Sequence, residues 1–296
     1  MLLERPALRY IQPMKPRLVD TPPSGDGWLH EVKFDGYRTQ LLVEAGTARA
    51  FSSSGANWTS KYPQIVAAAA RLRCTSAILD GEVYLPDARG AADFSGLPAA
   101  IRWRPQDLIF VAFDLLHLDG EDVRSRPVES RRAMLSGLMQ SAPAPSLAFS
   151  QELGVDGPEA FAAIDAMGLE GIVSKKRGSR YKSGDADTWL KTKTFTVGEF
   201  EVIGADLSPT GAPVAILARR DEHGLHYVGD AYITLKAADR EDFWAYVEAN
   251  TVVVPALPLK RRGTWLRPGL AATVRHLRGE GMLRHATLKG LRHDHR

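Results

Sequence analysis

The chain has 296 residues, 44% of them hydrophobic and 25% charged. That balance belongs to a globular protein, and no apolar run approaches the ~20 residues of a membrane span, so a membrane protein is excluded. A single cysteine, Cys74, excludes an internal disulfide and a cysteine zinc site, and at ~100 to 200 residues per domain the length predicts two domains. The net charge of +3 hides an asymmetry: from Lys260 onward ten basic residues face two acids, leaving residues 1–259 with 28 basic and 33 acidic side chains, or −5. A local basic block reads either as solvated surface or as a docking face for a polyanion such as nucleic acid.

In chain order, the first 27 residues carry five prolines and lack the basic-then-apolar order of a signal peptide, which predicts a cytosolic protein. The stretch "LHEVKFDGYRTQ" follows. In a strand it sets Glu31 and Lys33 on one face, with Asp35 if the strand persists, and turns Val32 and Phe34 into a core. By itself this is an ordinary salt-bridged strand lysine; a lysine becomes a nucleophile only where burial or neighbouring cations lower its pKa. "YPQIVAAAARL" and Ser130–Met139 read as helices, and "SAILDGEVYL", "LIFVAFDLLHL" and "EGIVSKK" as strands. Within them "LDGEV" puts Asp80 and Glu82 on one face, Glu170 opens "EGIVSKK" among apolar residues, and "WLKTK" aligns Lys191 with Lys193.

After Lys193 the pattern becomes short strands ("EFEVIGADLS", "VAILARR", "LHYVGDAYITL") and one helix around "EDFWAYVEA". The fold expected is therefore α+β, a domain of antiparallel sheets with flanking helices over 1–195, then a small oligonucleotide-binding β-barrel over 196–296. Lysines and carboxylates brought inward on several strands need partners, because an isolated buried charge costs several kcal/mol. Phosphate together with magnesium satisfies both signs, and no G-x-x-x-x-G-K-[ST] loop or kinase glycine loop is present to bind phosphate in another way. His285, His293 and His295 read as a solvated basic tail rather than a metal site, and Trp103, Trp189 and Trp265 as packing residues.

Taken in order, "EVKFDGYR", "LDGEV", "FDLL", "EGIVSKK", "WLKTK" and "MLRHATLKGLRHDHR" resemble the motifs of ATP-dependent DNA ligases, within the covalent nucleotidyltransferases. The resemblance covers nearly the whole chain and is nearest to the ligase domain of bacterial non-homologous end-joining ligases. It implies that residues 1–195 form the adenylation (nucleotidyltransferase) domain and that Lys33 takes AMP from ATP. The AMP then passes to a DNA 5′-phosphate, and the 3′-hydroxyl displaces it. It further implies that Asp35 orients the nucleophile, that Glu31, Arg38 and Glu82 help hold the nucleotide, and that Phe113 stacks on adenine. Glu170 binds Mg²⁺ or Mn²⁺, with Asp35 and Glu82 as further metal ligands; Lys191 and Lys193 meet the α-phosphate, and Arg292 and Asp294 orient the pyrophosphate.

The chain departs from the family pattern twice. Ser53 of "SSSG" stands where an arginine usually senses the nick phosphate, and His295 follows Asp294 where a lysine is usual. Weaker nick sensing and slower or more pH-sensitive self-adenylation are expected. The partners implied are duplex DNA with nicks or ends and a Ku-like end-binding protein, for a monomeric stand-alone catalytic core in the bacterial cytoplasm, associated with the nucleoid. An RNA ligase, a guanylyltransferase and a catalytically inactive nucleic-acid-binding module are the alternatives.

Overall fold

The computed structural model describes residues 7–277 and 282–293, so the expectations for Asp294 and His295 lie outside the described residues. The chain divides into two compact units, Met1–Thr194 and Phe195–Arg296. In the first, the strands are β1 (Met14–Leu18), β2 (Trp28–Val32), β3 (Tyr37–Glu44), β4 (Thr47–Ser52), β5 (Ser76–Tyr84), β6 (Ile109–Leu118), β7 (Glu121–Asp122), β8 (Leu147–Phe149), β9 (Gly171–Lys176) and β10 (Gly184–Lys193). The α-helices are α1 (Pro63–Ala69), α2 (Leu97–Trp103), α3 (Val128–Gln140) and α4 (Gly157–Ala166).

These strands make two sheets, ordered β1-β10-β9-β2 and β4-β3-β5-β6-β7, with β8 beside β6. The sheets are not purely antiparallel as expected: β1 runs parallel to β10, and β8 parallel to β6. Period-two alternation decides what lies where. Leu41 and Val43 of β3, with Ala77 and Leu79 of β5, face the core that α1, α2 and α3 cover. Leu42 and Ile78, one residue out of phase, instead join Met14, Leu116, Tyr181 and Trp189 in a smaller core between the two sheets. Asp80 and Glu82 continue the Ile78 face toward this space. From the other sheet Trp189, Lys191 and Lys193 share a face, and Trp189 and Lys175 lie opposite one another. Val32 and Ile172 pack under α4. Phe34 lies beyond the end of β2 and meets Tyr84 instead of that core.

The second unit holds β11 (Phe195–Leu207), β12 (Pro213–Asp221), β13 (Gly224–Ile233), α5 (Ala237–Asn250), β14 (Thr251–Val252), β15 (Thr264–Leu266), β16 (Leu270–Leu277) and β17 (Thr287–His293). β11 pairs with β12, β12 with β13, β13 with β17, β17 with β16, and β16 again with β11, so five strands close on themselves. Inside the ring lie Phe200, Val202, Leu217, Ala231, Val274 and Leu288, with Phe243 and Val247 of α5 packed onto them. Trp189 is buried in the inter-sheet core and Trp265 packs on the barrel, whereas Trp103 is exposed, contrary to the packing role expected of it; the Arg102 guanidinium stacks on its ring.

Candidate active site

β2 stops at Val32, and Lys33 follows as the first residue of a loop whose backbone is still pinned, its amide donating to the Gly171 carbonyl at 2.8 Å. The Lys33 ammonium donates to Glu170 Oε2 at 2.5 Å, while Lys193 Nζ lies 3.3 Å from Glu170 Oε1. Glu170 is fixed from behind, its carbonyl accepting from the Thr194 amide. Burial, and then the charge of Lys33, hold Lys191 below the usual lysine range. Lys193 is lowered by burial too, against the opposing pull of Glu170. Three cations thus share one close carboxylate, which leaves an excess of positive charge in a partly buried space. An anion is what such a space accepts.

The close approach of strands explains the glycine of "KFDG". A Cβ on Gly36 would stand 2.2 Å from the Val83 carbonyl oxygen, so any side chain there would push β5 away. Gly171 has the same constraint and a φ of +147°, its Cβ position lying 2.0 Å from the Thr192 carbonyl oxygen. Both close approaches adjoin charged residues in sequence: Asp35 and Arg38 flank Gly36, and Glu170 precedes Gly171.

Arg38 grips Asp80 with two bonds, Nε to Oδ1 and Nη2 to Oδ2, both 2.7 Å, and its guanidinium covers the Phe113 ring at 4.6 Å. Glu82 is partly buried beside them. Burial pushes its carboxyl up to about 8 despite Arg38 and Lys33, and the charges of Glu170 and Asp80 add to the rise. A buried carboxyl beside Glu170 and Asp80 would be relieved by a cation, and its oxygens suit a divalent ion. Among the described residues no three His, Cys, Asp or Glu side chains form a ready metal cluster. An ion there therefore needs water and phosphate oxygens to complete its sphere, as Mg²⁺ commonly does.

Glu31 does not fit the nucleotide-contacting role expected for it. It is 2% exposed, and its oxygens are taken by Arg132 Nη1, Lys175 Nζ and Ser150 Oγ, each at 2.6 Å. Its carboxylate neutralises a buried cation pair instead of facing a ligand. Lys175, 1% exposed and held low by burial, also donates to the Phe113 carbonyl at 2.7 Å and sits over the Trp189 ring at 4.3 Å. Phe113 itself is wedged between Arg38 and Trp189. Arg292 lies in the second unit, where Nη1 meets Glu199 Oε1 at 2.7 Å. Ser53 is exposed, and its carbonyl accepts from the Tyr10 hydroxyl at 2.5 Å.

Sequence reading passed over Lys175, Arg132 and Tyr181. Lys175 lies inside the quoted "EGIVSKK", and its opposite phase to Ser174 was the available signal. Adjacent arginines in a helix, as at 131 and 132, do not announce that both point inward.

A family model for the ATP dependent DNA ligase domain matches residues 18–193. The multifunctional non-homologous end joining protein LigD of Pseudomonas aeruginosa is 31% identical over 98% of this chain and 36% of its own length. The corresponding DNA repair protein LigD of Mycobacterium tuberculosis is 34% identical over 90% of the chain and 36% of its own length. A solved structure of mycobacterial DNA ligase D complexed with ATP and MES superposes with a TM-score of 0.60 at 29% identity, covering 95% of both chains. The ligase domain of M. tuberculosis LigD gives 0.59 at 29%, covering 95% of this chain and 94% of that one. In the first unit Lys33 thus lies with Lys191 and Lys193 about the buried Glu170 carboxylate. The chain belongs to the ATP-dependent DNA ligase family, and it spans about a third of the length of the curated LigD relatives it matches.

Proposed function

We propose that the chain seals 5′-phosphate/3′-hydroxyl breaks in duplex DNA during bacterial repair by end joining, through a lysyl-AMP intermediate. The observation that carries this is the Lys33–Glu170–Lys193 cluster with Lys191 alongside. In the first step Lys33 Nζ gives up a proton to water or to the departing pyrophosphate and attacks the α-phosphorus of ATP; a P–N bond forms and the bond to pyrophosphate breaks. Lys191 and Lys193 oppose the charge that builds on the α-phosphate oxygens. Arg38 holds the ribose or adjacent phosphate, with Glu82 beside it, and Asp35 orients the nucleophile. Phe113, beside Arg38, would stack on adenine. The DNA 5′-phosphate oxygen then displaces Lys33 from phosphorus, and the 3′-hydroxyl displaces AMP to close the strand.

Mg²⁺ or Mn²⁺ held by Glu170, with Asp35 and Glu82, would neutralise phosphate charge. The second unit reads as an oligonucleotide-binding barrel, which the closed ring β11-β12-β13-β17-β16 supports. Its basic surface would contact DNA phosphates without reading sequence. Arg292 would reach the pyrophosphate when this unit meets the nucleotide. A monomer acting in the cytoplasm at the nucleoid, with a Ku-like end-binding protein as partner, completes the proposal.

The test is incubation with α-labelled ATP or GTP and Mg²⁺ or Mn²⁺, wild type beside Lys33→Ala, then addition of nicked DNA. Label from ATP on wild type alone, discharged as the nick closes, is the expected result. Label from GTP would point to a guanylyltransferase, transfer only to nicked RNA to an RNA ligase, and no label in folded protein free of bound AMP to a binding module.

A further inference from the structure

The Arg38–Asp80 pair is part of a closed circuit. The Tyr181 hydroxyl donates to Asp80 Oδ2 at 2.6 Å and accepts from the Met14 amide at 2.8 Å, and Arg38 Nη2 reaches back to the Met14 carbonyl at 3.4 Å. Asp80 is wholly buried and Tyr181 is 6% exposed. An ionised carboxylate only accepts, so the phenol proton points to Asp80 and the phenol lone pair is what the Met14 amide finds.

The circuit joins the two sheets. Arg38 and Asp80 belong to β3 and β5, Met14 to β1, and Tyr181 to the segment between β9 and β10, where its amide donates to the Arg124 carbonyl at 2.9 Å. A two-bond fork alone lets carboxylate and guanidinium swing together about the aspartate side chain. A third donor arriving on Oδ2 from the opposite sheet removes that freedom. With the Phe113 ring beneath it at 4.6 Å, the guanidinium is then held in one plane.

We infer that Tyr181 is a positioning residue for Arg38, its hydroxyl acting through Asp80 to hold the guanidinium where the nucleotide is received. This rests on the proposed role of Arg38 toward ATP. Tyr181 touches no reacting atom, and its contribution lies in pre-organisation. The Met14 amide makes the N-terminal edge strand part of the same device.

The experiment measures the rate of lysyl-AMP formation against ATP concentration in the full chain, for wild type, Tyr181→Phe, Arg38→Lys and the double variant, with the melting temperature of each. Expected is a rise in KM for ATP of about tenfold in Tyr181→Phe with kcat within about threefold, and a double variant no worse than Arg38→Lys alone. Asp80→Asn, which keeps the side-chain shape, should raise KM in the same direction and stands in if Tyr181→Phe does not fold. Effects that multiply in the double variant overturn the inference, as does a lowered melting temperature with unchanged KM, which makes Tyr181 a packing residue only. A wild-type KM in Arg38→Lys instead overturns the role of Arg38, and the inference with it.

Discussion

Glu82 shows how one side chain can tie the chemistry of the site to the stability of the chain. Its carboxyl is raised from an ordinary 4.5 to about 8, chiefly by burial. The folded state therefore holds a proton that the unfolded state has released, and stability falls as pH rises between those values. In Glu82→Gln this slope should be absent. Melting followed from about pH 5 to 8 checks it, and parallel curves for the two proteins would contradict it. At this scale Lys191 and Lys193 are legible from period-two spacing along β10, and Lys33 and Glu170, which lie just outside β2 and β9, from the motifs that carry the family resemblance. The resemblance places Glu31 with the nucleotide, but a motif position carries no partner, and its partners Arg132 and Ser150 come from 101 and 119 residues away.

At the scale of elements, α3 is tied to β6 by ions as well as by apolar packing. Arg131 and Asp114 are both wholly buried and make two bonds, 2.7 and 2.8 Å, while the remaining Arg131 nitrogen reaches the Arg126 and Ser179 carbonyls. Removing one partner strands the other charge, so Arg131→Met should cost about 3–5 kcal/mol, and adding Asp114→Leu should recover much of the loss. Urea unfolding with an unchanged slope measures both, and a double variant less stable than the single would refute the account. The helix itself was visible from sequence over Ser130–Met139 and spans Val128–Gln140. What the pattern hid was its cargo of inward arginines, since guanidinium groups normally mark the solvent face. β6 carried a second concealed feature: its register against β5 slips twice, which is why Phe113 and Leu116 face one core while Ala112 and Leu115 face the other.

Across the whole molecule, the basic count of the last segment overstates what DNA can use. Arg261 is spent inside the second unit, bonded to Asp206 and Asp230 at 2.8–2.9 Å, and Arg292 is paired with Glu199. Lys260, Arg262, Arg267 and Lys289 are exposed. If this surface meets the duplex, Lys260→Ala and Arg262→Ala should each lower the slope of log K against log salt by about one, whereas Arg261→Ala should lower stability instead. Nicked-duplex binding across about 50 to 200 mM salt distinguishes them, and equal slopes for all three would remove these side chains from the interface.

The sequence alone determined the family and singled out Lys33, Glu170, Lys191 and Lys193, because those depend on residue types at short fixed spacings. It also determined most strands and helices, since alternation and helical periodicity are local. Tertiary structure decided the rest: which cation each carboxylate meets, the ring closed by β11 and β16 from opposite ends of their unit, and the Tyr181 circuit that links residues 14, 38, 80 and 181. Those contacts join positions far apart in the chain, and no local pattern encodes which distant partner arrives.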